Sequence, residues 1–94
     1  MRTLIYTVFD KKSATYHQPF FVNHQVHAIR IVETAVNDLA TNLGKYPADF
    51  ALYCLGHYDD QSGLLEPTSP SFVCELITLV VRPSLDEPSL FSEE

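Results

Sequence analysis

One segment of this sequence carries a helical pattern of apolar residues, and it constrains the fold more than any other feature. Between Ala28 and Leu43, apolar side chains recur at intervals of three and four residues, and polar side chains fall mostly on the other side. Asn23 is a favourable N-cap residue, and Gly44 is the kind of residue that ends a helix. The pattern predicts one main helix at about residues 24–42, with one stripe buried against a sheet.

Segments before and after this helix are typical of β-strands. Residues 3–9 are rich in β-branched and aromatic side chains, and residues 50–55 are apolar on both faces, as in a central strand that is covered on each side. Pro19 leads into residues 20–22, which suit an edge strand because proline cannot donate to a ladder. The predicted sheet therefore takes strands from both sides of the helix.

The C-terminal third contains two further apolar segments. A return strand begins at residues 64–66, and the sequence EPTSP at residues 66–70 breaks it. Residues 71–81 fit either a strand or a short helix, because their periodicity does not distinguish the two. The order of elements predicts an α+β fold, in which a small antiparallel or mixed sheet of about three to five strands packs against one main helix.

Length and charge divide the chain into a domain and a tail. The 94 residues suffice for one core, and the net charge of −6 is concentrated at the C-terminus. Residues 83–94 contain four acidic and no basic residues, whereas residues 1–82 contain six basic and eight acidic residues. This distribution predicts a single α+β domain at residues 1–82, followed by an acidic, disordered tail at residues 83–94.

Two kinds of partner protein are expected from these properties. A core of this size is marginally stable by itself, so we expect a homodimer or a larger homo-oligomer. The tail carries Leu90 and Phe91 among its acidic residues, and these two side chains could dock weakly on a partner or fold back over a basic surface.

Neither a membrane segment nor a redox motif is evident. No stretch approaches the roughly 20 apolar residues of a membrane-spanning helix, and the apolar run before Asp10 is too short for a signal peptide. Cys54 and Cys74 lie in apolar, strand-like runs outside any CxxC pair, so we expect reduced, buried thiols. These features are typical of a cytoplasmic protein.

The segment LGHYDDQSG, residues 55–63, has two interpretations. Aspartate favours the first position of a β-turn and Gly63 can adopt a positive φ, so a hairpin turn explains the segment without a ligand. A metal site at His57 lacks the spacing of known motifs. His24 and His27, one helical turn apart, could share a metal but are more often solvated at such a position. We therefore expect a turn and no metal.

Sequence motifs of catalysis are also missing. The chain has no GxSxG, P-loop or Rossmann glycine pattern, and no serine or cysteine has a recognisable base. Paired carboxylates occur only in the 55–63 segment and in the tail, which are not preorganised contexts. We expect a protein that is not an enzyme, with no catalytic residue and no cofactor.

The N-terminal third interleaves cations with aromatic rings, which are the components of a surface that binds single-stranded nucleic acid. The overall acidity opposes this interpretation, and the rings could instead fill the core of a protein that has no tryptophan. Tyr16 is the ring that we expect to be most exposed. The candidate DNA-binding residues are Arg2, Lys11, Lys12 and Arg30 for phosphates, and Tyr16 and Phe20 for bases.

An ordered series of short motifs resembles the small nonstructural protein of gokushovirus-type microviruses, which are tailless phages with single-stranded DNA. The resemblance covers about residues 3–66 and is most specific in the run that ends in Asp-Asp-x-x-Gly. This chain departs from the pattern at Asn23-His24-Gln25, where a basic, glycine-containing sequence is usual, and the loss of a cation weakens the interpretation of this helix end as a phosphate contact. The matching positions are Pro19, Phe20, Phe21, Arg30, Asn37, Asp38, Pro47, Gly56, Asp59, Asp60 and Gly63.

The resemblance implies a phage replication protein that is absent from the capsid and acts in the host bacterial cytoplasm. Such proteins are described as DNA-binding, with a proposed part in single-stranded genome synthesis or in packaging. The function expected from the sequence is therefore non-catalytic binding of single-stranded DNA. The alternative is a homo-oligomeric module that engages a phage or host protein without binding DNA directly.

Overall fold

The computed structural model describes residues 2–81, and the predicted acidic tail at residues 83–94 lies outside the described residues. Short helical turns of the 3-10 type lie at Pro47–Asp49 and Leu76–Leu79. The strands and helices, in chain order, are β1 (Arg2–Asp10), β2 (Thr15–Tyr16), β3 (Phe20–Val22), α1 (Gln25–Val36), α2 (Asn42–Lys45), β4 (Phe50–Asp59) and β5 (Leu64–Glu75).

All strand pairs of the described residues are antiparallel and form one sheet. β4 lies between β1 and β5, while β2 and β3 both pair with the other side of β1. β3 is thus an edge strand, as its preceding proline predicts. With α1 packed on this sheet, the architecture confirms the α+β prediction of a small sheet against one main helix.

One face of the sheet, called here the inner face, builds the core with α1. Tyr6, Val8 and Leu52 from the sheet and Val32 and Val36 from α1 are at most 4% exposed. The Tyr6 hydroxyl donates to Gln25 Oε1 over 3.0 Å, which satisfies a polar group that is otherwise removed from water. Burial, together with the neighbouring Cys54 thiol, raises the pKa of Tyr6. The core therefore fixes α1 to the strands β1 and β4.

The main helix is shorter than predicted. It ends at Val36, rather than at about residue 42, and His24 rather than Asn23 occupies the N-cap position, without a side-chain cap. Polar side chains explain the early end, because Asn37 Nδ2 donates to the Glu33 carbonyl over 2.9 Å and competes with a continued helix. The predicted extent of 24–42 was therefore wrong at its C-terminal end.

Thr41 starts the second, shorter helix instead. Its hydroxyl donates to the Ala35 carbonyl over 2.8 Å and accepts the Gly44 N–H over 3.0 Å, which caps α2. Gly44 lies inside α2 and does not end the main helix as predicted. A Cβ at this position would lie 2.0 Å from the Asp38 carbonyl oxygen, so the close approach of the chain requires glycine.

The hairpin prediction for residues 55–63 is confirmed. Asp59 Oδ1 accepts the Gln61 N–H over 2.9 Å, and the Gly63 N–H donates to the Asp59 carbonyl over 2.8 Å. Gly63 has a φ of +76°, which glycine adopts readily. The hydrogen bond from Gln61 is the main cause that lowers the pKa of Asp59.

β5 continues through the predicted break at residues 66–70. Pro67 pairs with Gly56 and Ser71 with Cys54, so three residues of β5 face one residue of β4 in a bulge. The bulge accommodates the second proline without ending the strand. Residues 71–81, for which strand and helix were both open, contain the end of β5 and then a 3-10 turn at Leu76–Leu79.

Candidate nucleic-acid interface

The face of the sheet opposite α1, called here the open face, carries aromatic side chains. Paired residues of neighbouring strands lie on the same face, and alternate residues of a strand lie on opposite faces. Thr7 pairs with Tyr53, and Tyr53 pairs with Phe72, whereas the flanking Tyr6 belongs to the inner face. By the same register, Phe9, Tyr16, Phe21 and Tyr58 also belong to the open face.

Four of these rings form a contiguous group, the four-ring cluster of Phe9, Tyr16, Tyr53 and Phe72. Ring centroids of Phe9 and Tyr16 are 4.7 Å apart, and Tyr53 lies 5.8 Å from both Phe9 and Phe72. Tyr16 and Phe72 are 48% and 54% exposed. The rings cover the small residues beneath them, since Thr7 and Ala51 are 0% and 1% exposed. The cluster is therefore held in place yet accessible from solvent.

The turn between β1 and β2, which joins the strands of Phe9 and Tyr16, contains two lysines. Asp10 Oδ1 accepts the Lys12 N–H over 2.9 Å and the Ser13 N–H over 3.3 Å, which fixes the turn. Partial desolvation opposes ionisation of Asp10, but these hydrogen bonds outweigh it and lower the pKa of this carboxyl. Lys11 Nζ lies 2.5 Å from Glu75 Oε1, and Lys12 is exposed. Positive charge at this end is thus partly neutralised by β5.

Three of the six predicted DNA-binding residues share this end of the sheet, and three do not. Lys11, Lys12 and Tyr16 lie at the β1–β2 hairpin. Arg2 begins β1 at the opposite end, where its register partner is Asp59. Arg30 is exposed on α1, on the side of the helix away from the buried Ala28 and Val32, and it therefore belongs to the opposite layer.

Phe20 differs from the expectation for a stacking ring. It pairs with Tyr6 on the inner face, with ring centroids 6.4 Å apart, and packs against the core. Its neighbour Phe21 instead lies on the open face and is 52% exposed. Sequence reasoning also missed Tyr53 and Phe72, although strand alternation between apolar residues was a usable signal.

A groove lies at the other end of the open face. It has a volume of about 490 Å³ and is lined by Thr3, Phe21, Tyr58, Gly63 and Leu65. The Phe21 and Tyr58 rings meet edge to face at 6.3 Å. Leu65 is 62% exposed, so the groove has an apolar, accessible wall. This groove is separate from the four-ring cluster but shares its sheet face.

Possible metal ligands are dispersed in the described residues. His24 and His27 place their ring centroids 5.5 Å apart, but residues 2–81 contain no group of three or more histidine, cysteine or acidic side chains that could hold a metal ion. His57 Nε2 contacts Glu66 Oε1 at 2.9 Å, which ties β4 to β5 on the inner face. The three histidines therefore lie in two separate places, at the start of α1 and on β4.

The two cysteines are free thiols of intermediate burial, less enclosed than predicted. Burial, with a smaller effect of Glu75, raises the pKa of the Cys74 thiol. Between residues 2 and 81, no helix has the length and hydrophobicity required to cross a bilayer.

Comparison with known protein families identifies a family for this chain. No curated protein and no solved structure is significantly similar to this chain. A family model described as "Phage ORF5 protein" matches residues 3–79, which is most of the chain and includes all described strands and helices except the first residue of β1. The match confirms the phage origin expected from the ordered motifs. The chain belongs to the Phage ORF5 protein family.

Proposed function

We propose that this protein is a non-catalytic phage accessory protein that binds single-stranded DNA on the open face of its sheet. The proposed place of action is the host bacterial cytoplasm, during viral genome replication or packaging. Membership of the Phage ORF5 protein family supports the phage context. The ordered motifs of the sequence support the narrower assignment to gokushovirus-type microviruses. No catalytic residue and no cofactor are part of this proposal.

The observation that carries the proposal is the exposure of the four-ring cluster. Phe72 and Tyr16 leave about half of their surface in water, although the inner face offers a core in which rings can be buried. Stacking on such rings stabilises bound bases by about 1–3 kcal/mol each and does not depend on base identity. An open sheet face with clustered rings therefore suits an unpaired strand, whose bases are free to stack.

Charge is a secondary contribution in this proposal. Lys12 lies in the turn that joins the strands of Phe9 and Tyr16, and Lys11 can exchange its Glu75 contact for a phosphate. With one or two phosphates neutralised, the logarithm of the binding constant should fall with the logarithm of salt concentration with a slope of about −0.7 to −1.4. Stacking rather than charge would thus supply most of the affinity, which suits a chain with a net charge of −6.

Fluorescence anisotropy with a labelled oligothymidylate tests the proposal. We expect micromolar binding to the full chain at low salt, with the shallow salt dependence given above. Phe72→Ala and Tyr16→Ala should each weaken binding by roughly tenfold, because each removes one stacking ring. Tyr46→Ala is the matched control, since Tyr46 is an exposed ring in the connection between α2 and β4.

Two results would contradict the proposal. The first is no binding at low salt. The second is binding that Phe72→Ala leaves unchanged and that Arg30→Ala abolishes, since the contact surface would then lie on α1. Circular dichroism of each variant separates a loss of binding from a loss of fold.

Self-association is the second candidate function. Leu65 is 62% exposed beside Phe21, which is itself 52% exposed, and with Tyr16 and Phe72 they give the open face a large apolar area for so small a domain. The free side of β5 contains Pro67 and Pro70, which oppose pairing of strands between copies, so the open face is the better interface. Such a homo-oligomer would engage a phage or host protein without binding DNA. Light scattering that reports a monomer at all concentrations would exclude it.

A further inference from the structure

The groove and the four-ring cluster lie along one line of the open face. Phe21 pairs with Ile5 and Tyr16 pairs with Phe9, so the two sites are four residues apart along β1. At about 3.3 Å per residue, their separation is roughly 13 Å. At a spacing of about 3.4 Å per stacked base, this distance corresponds to about four nucleotides. Fewer nucleotides cover the same distance when the strand is extended.

The lining of the groove fits a flat, uncharged ring. Phe21 and Tyr58 supply aromatic walls, Leu65 supplies an aliphatic wall, and Thr3 and Tyr58 supply hydroxyl groups for hydrogen bonds. None of the five lining residues is charged, so the groove offers no counterion to a phosphate or to an acidic peptide. Its volume of about 490 Å³ falls in the range of small-molecule sites.

We infer that the Phe21–Tyr58 groove is a second base-binding subsite for the same DNA strand that stacks on the four-ring cluster. This inference rests on the proposed function and deepens it. A DNA strand that spans both sites must be several nucleotides long. One of its bases lies in the groove, and its phosphates are directed to solvent. Occupation of two linked sites raises the affinity because the second contact is intramolecular.

The length dependence of binding tests the inference. For oligothymidylates from about three to about ten nucleotides, affinity should rise by roughly tenfold or more once the strand reaches both sites. Phe21→Ala and Leu65→Ala should abolish this rise and leave the shortest oligonucleotides unaffected. Phe72→Ala should weaken binding at every length, and Tyr46→Ala should change neither quantity.

A second measurement uses the unmodified sequence and does not depend on the folding of a variant. An oligonucleotide with one photoreactive iododeoxyuridine is cross-linked to the full chain, and the modified peptide is identified by mass spectrometry. The photoreactive base is placed at different positions of the oligonucleotide. One position should cross-link to Phe72 or Tyr16, and a position several nucleotides away should give adducts on Phe21 or Tyr58.

The outcomes separate the two proposals. If no oligonucleotide binds, the proposed function fails and the subsite fails with it. If all lengths bind but Phe21→Ala leaves the rise intact, or adducts never form at the groove, the subsite is overturned while the proposed function stands. If Phe21→Ala changes the oligomeric state and not the length dependence, the groove is an interface between copies, which also overturns the inference.

Discussion

Asn37 joins the end of α1 to Leu79, because its side-chain Nδ2 donates to the Leu79 carbonyl over 3.0 Å. The same amide accepts the Val81 N–H at Oδ1 over 2.8 Å. One side chain therefore both ends the helix and holds the segment that follows β5 against it. The preceding Leu76, which is 0% exposed, is thereby kept in the core.

Replacement of Asn37 by alanine should destabilise the fold. The change removes the hydrogen bonds to the part-buried Leu79 carbonyl and the exposed Val81 N–H. At about 0.5–1.5 kcal/mol each, their loss should lower the free energy of unfolding by about 1–3 kcal/mol. Urea denaturation monitored by circular dichroism measures this cost. Asn42→Ala, at an exposed position of α2, is the matched control and should change the free energy of unfolding by about 0.5 kcal/mol or less. Equal stability of the two variants would contradict the connecting role of Asn37.

Gly56 and Gly63 should differ in their tolerance of alanine. Gly56 has a φ of +137°, and a Cβ there would lie 2.2 Å from the Glu66 carbonyl oxygen. We therefore expect Gly56→Ala to cost about 3 kcal/mol or more, or to prevent folding. Gly63 has a positive φ but no atom within 4 Å of such a Cβ, so Gly63→Ala should cost only about 1–2 kcal/mol. Thermal denaturation of both variants makes the comparison, and a Gly56→Ala variant as stable as Gly63→Ala would refute the close packing of β4 on β5.

The stability of the hairpin should decrease in acid because of Asp59. Its pKa is lowered below the ordinary value of 3.8 by the Gln61 N–H and by weaker hydrogen bonds from Ser62. A carboxyl whose pKa is lower in the folded than in the unfolded state stabilises the fold at pH values above its unfolded-state pKa. It loses this contribution as the pH falls through its folded-state pKa. The contribution is therefore complete above about pH 4 and disappears progressively below it.

Asp59→Asn tests this pH dependence, since asparagine keeps a side-chain oxygen acceptor but does not ionise. Urea midpoints should fall less steeply in the variant than in the natural protein between about pH 4 and about pH 2. Asp10→Asn should show the same trend, because hydrogen bonds from the β1–β2 turn also lower the pKa of Asp10. An unchanged slope for both variants would mean that other groups cause the acid sensitivity.

The sequence predicted α1 correctly where the apolar residues of the helical pattern are buried in the core. It predicted the end of the helix wrongly, because the pattern continues beyond the residues that are packed. Val32 and Val36 follow the apolar stripe and are buried, which made the existence of α1 predictable. Leu39 continues the same spacing by coincidence and is 61% exposed. Hydrogen bonds of Asn37 and Thr41 end the helix earlier, and a hydrophobic pattern does not contain that information.

The candidate site was harder to predict, because the aromatic rings of the core and of the surface have the same composition. Phe20 and Phe21 are adjacent, and only the register of β3 with β1 directs Phe20 to the core and Phe21 to the open face. The cations raise the same difficulty. Lys12 and Arg30 both belong to the N-terminal third of the sequence, but one follows a strand and the other lies in the helical layer.

Residues 83–94 should weaken DNA binding through their charge. They contribute four of the twelve acidic residues and no basic residue, so they repel phosphates wherever they lie within a Debye length of the open face. Neutralising them in the full chain, with Asp86→Asn, Glu87→Gln, Glu93→Gln and Glu94→Gln together, should raise the affinity for an oligothymidylate by a few-fold, about 1 kcal/mol or less. The gain should shrink as salt increases, because screening removes the repulsion.

A control distinguishes charge from apolar contact in the same segment. The double variant Leu90→Ser and Phe91→Ser keeps all four carboxylates and should leave the DNA affinity unchanged. If this variant raises the affinity and the neutralised variant does not, the apolar pair rather than the charge competes for the rings of the open face. If the affinity at low salt is the same in all three proteins, the acidic segment has no part in DNA binding, and its role as a contact for a replication or packaging protein becomes the better proposal.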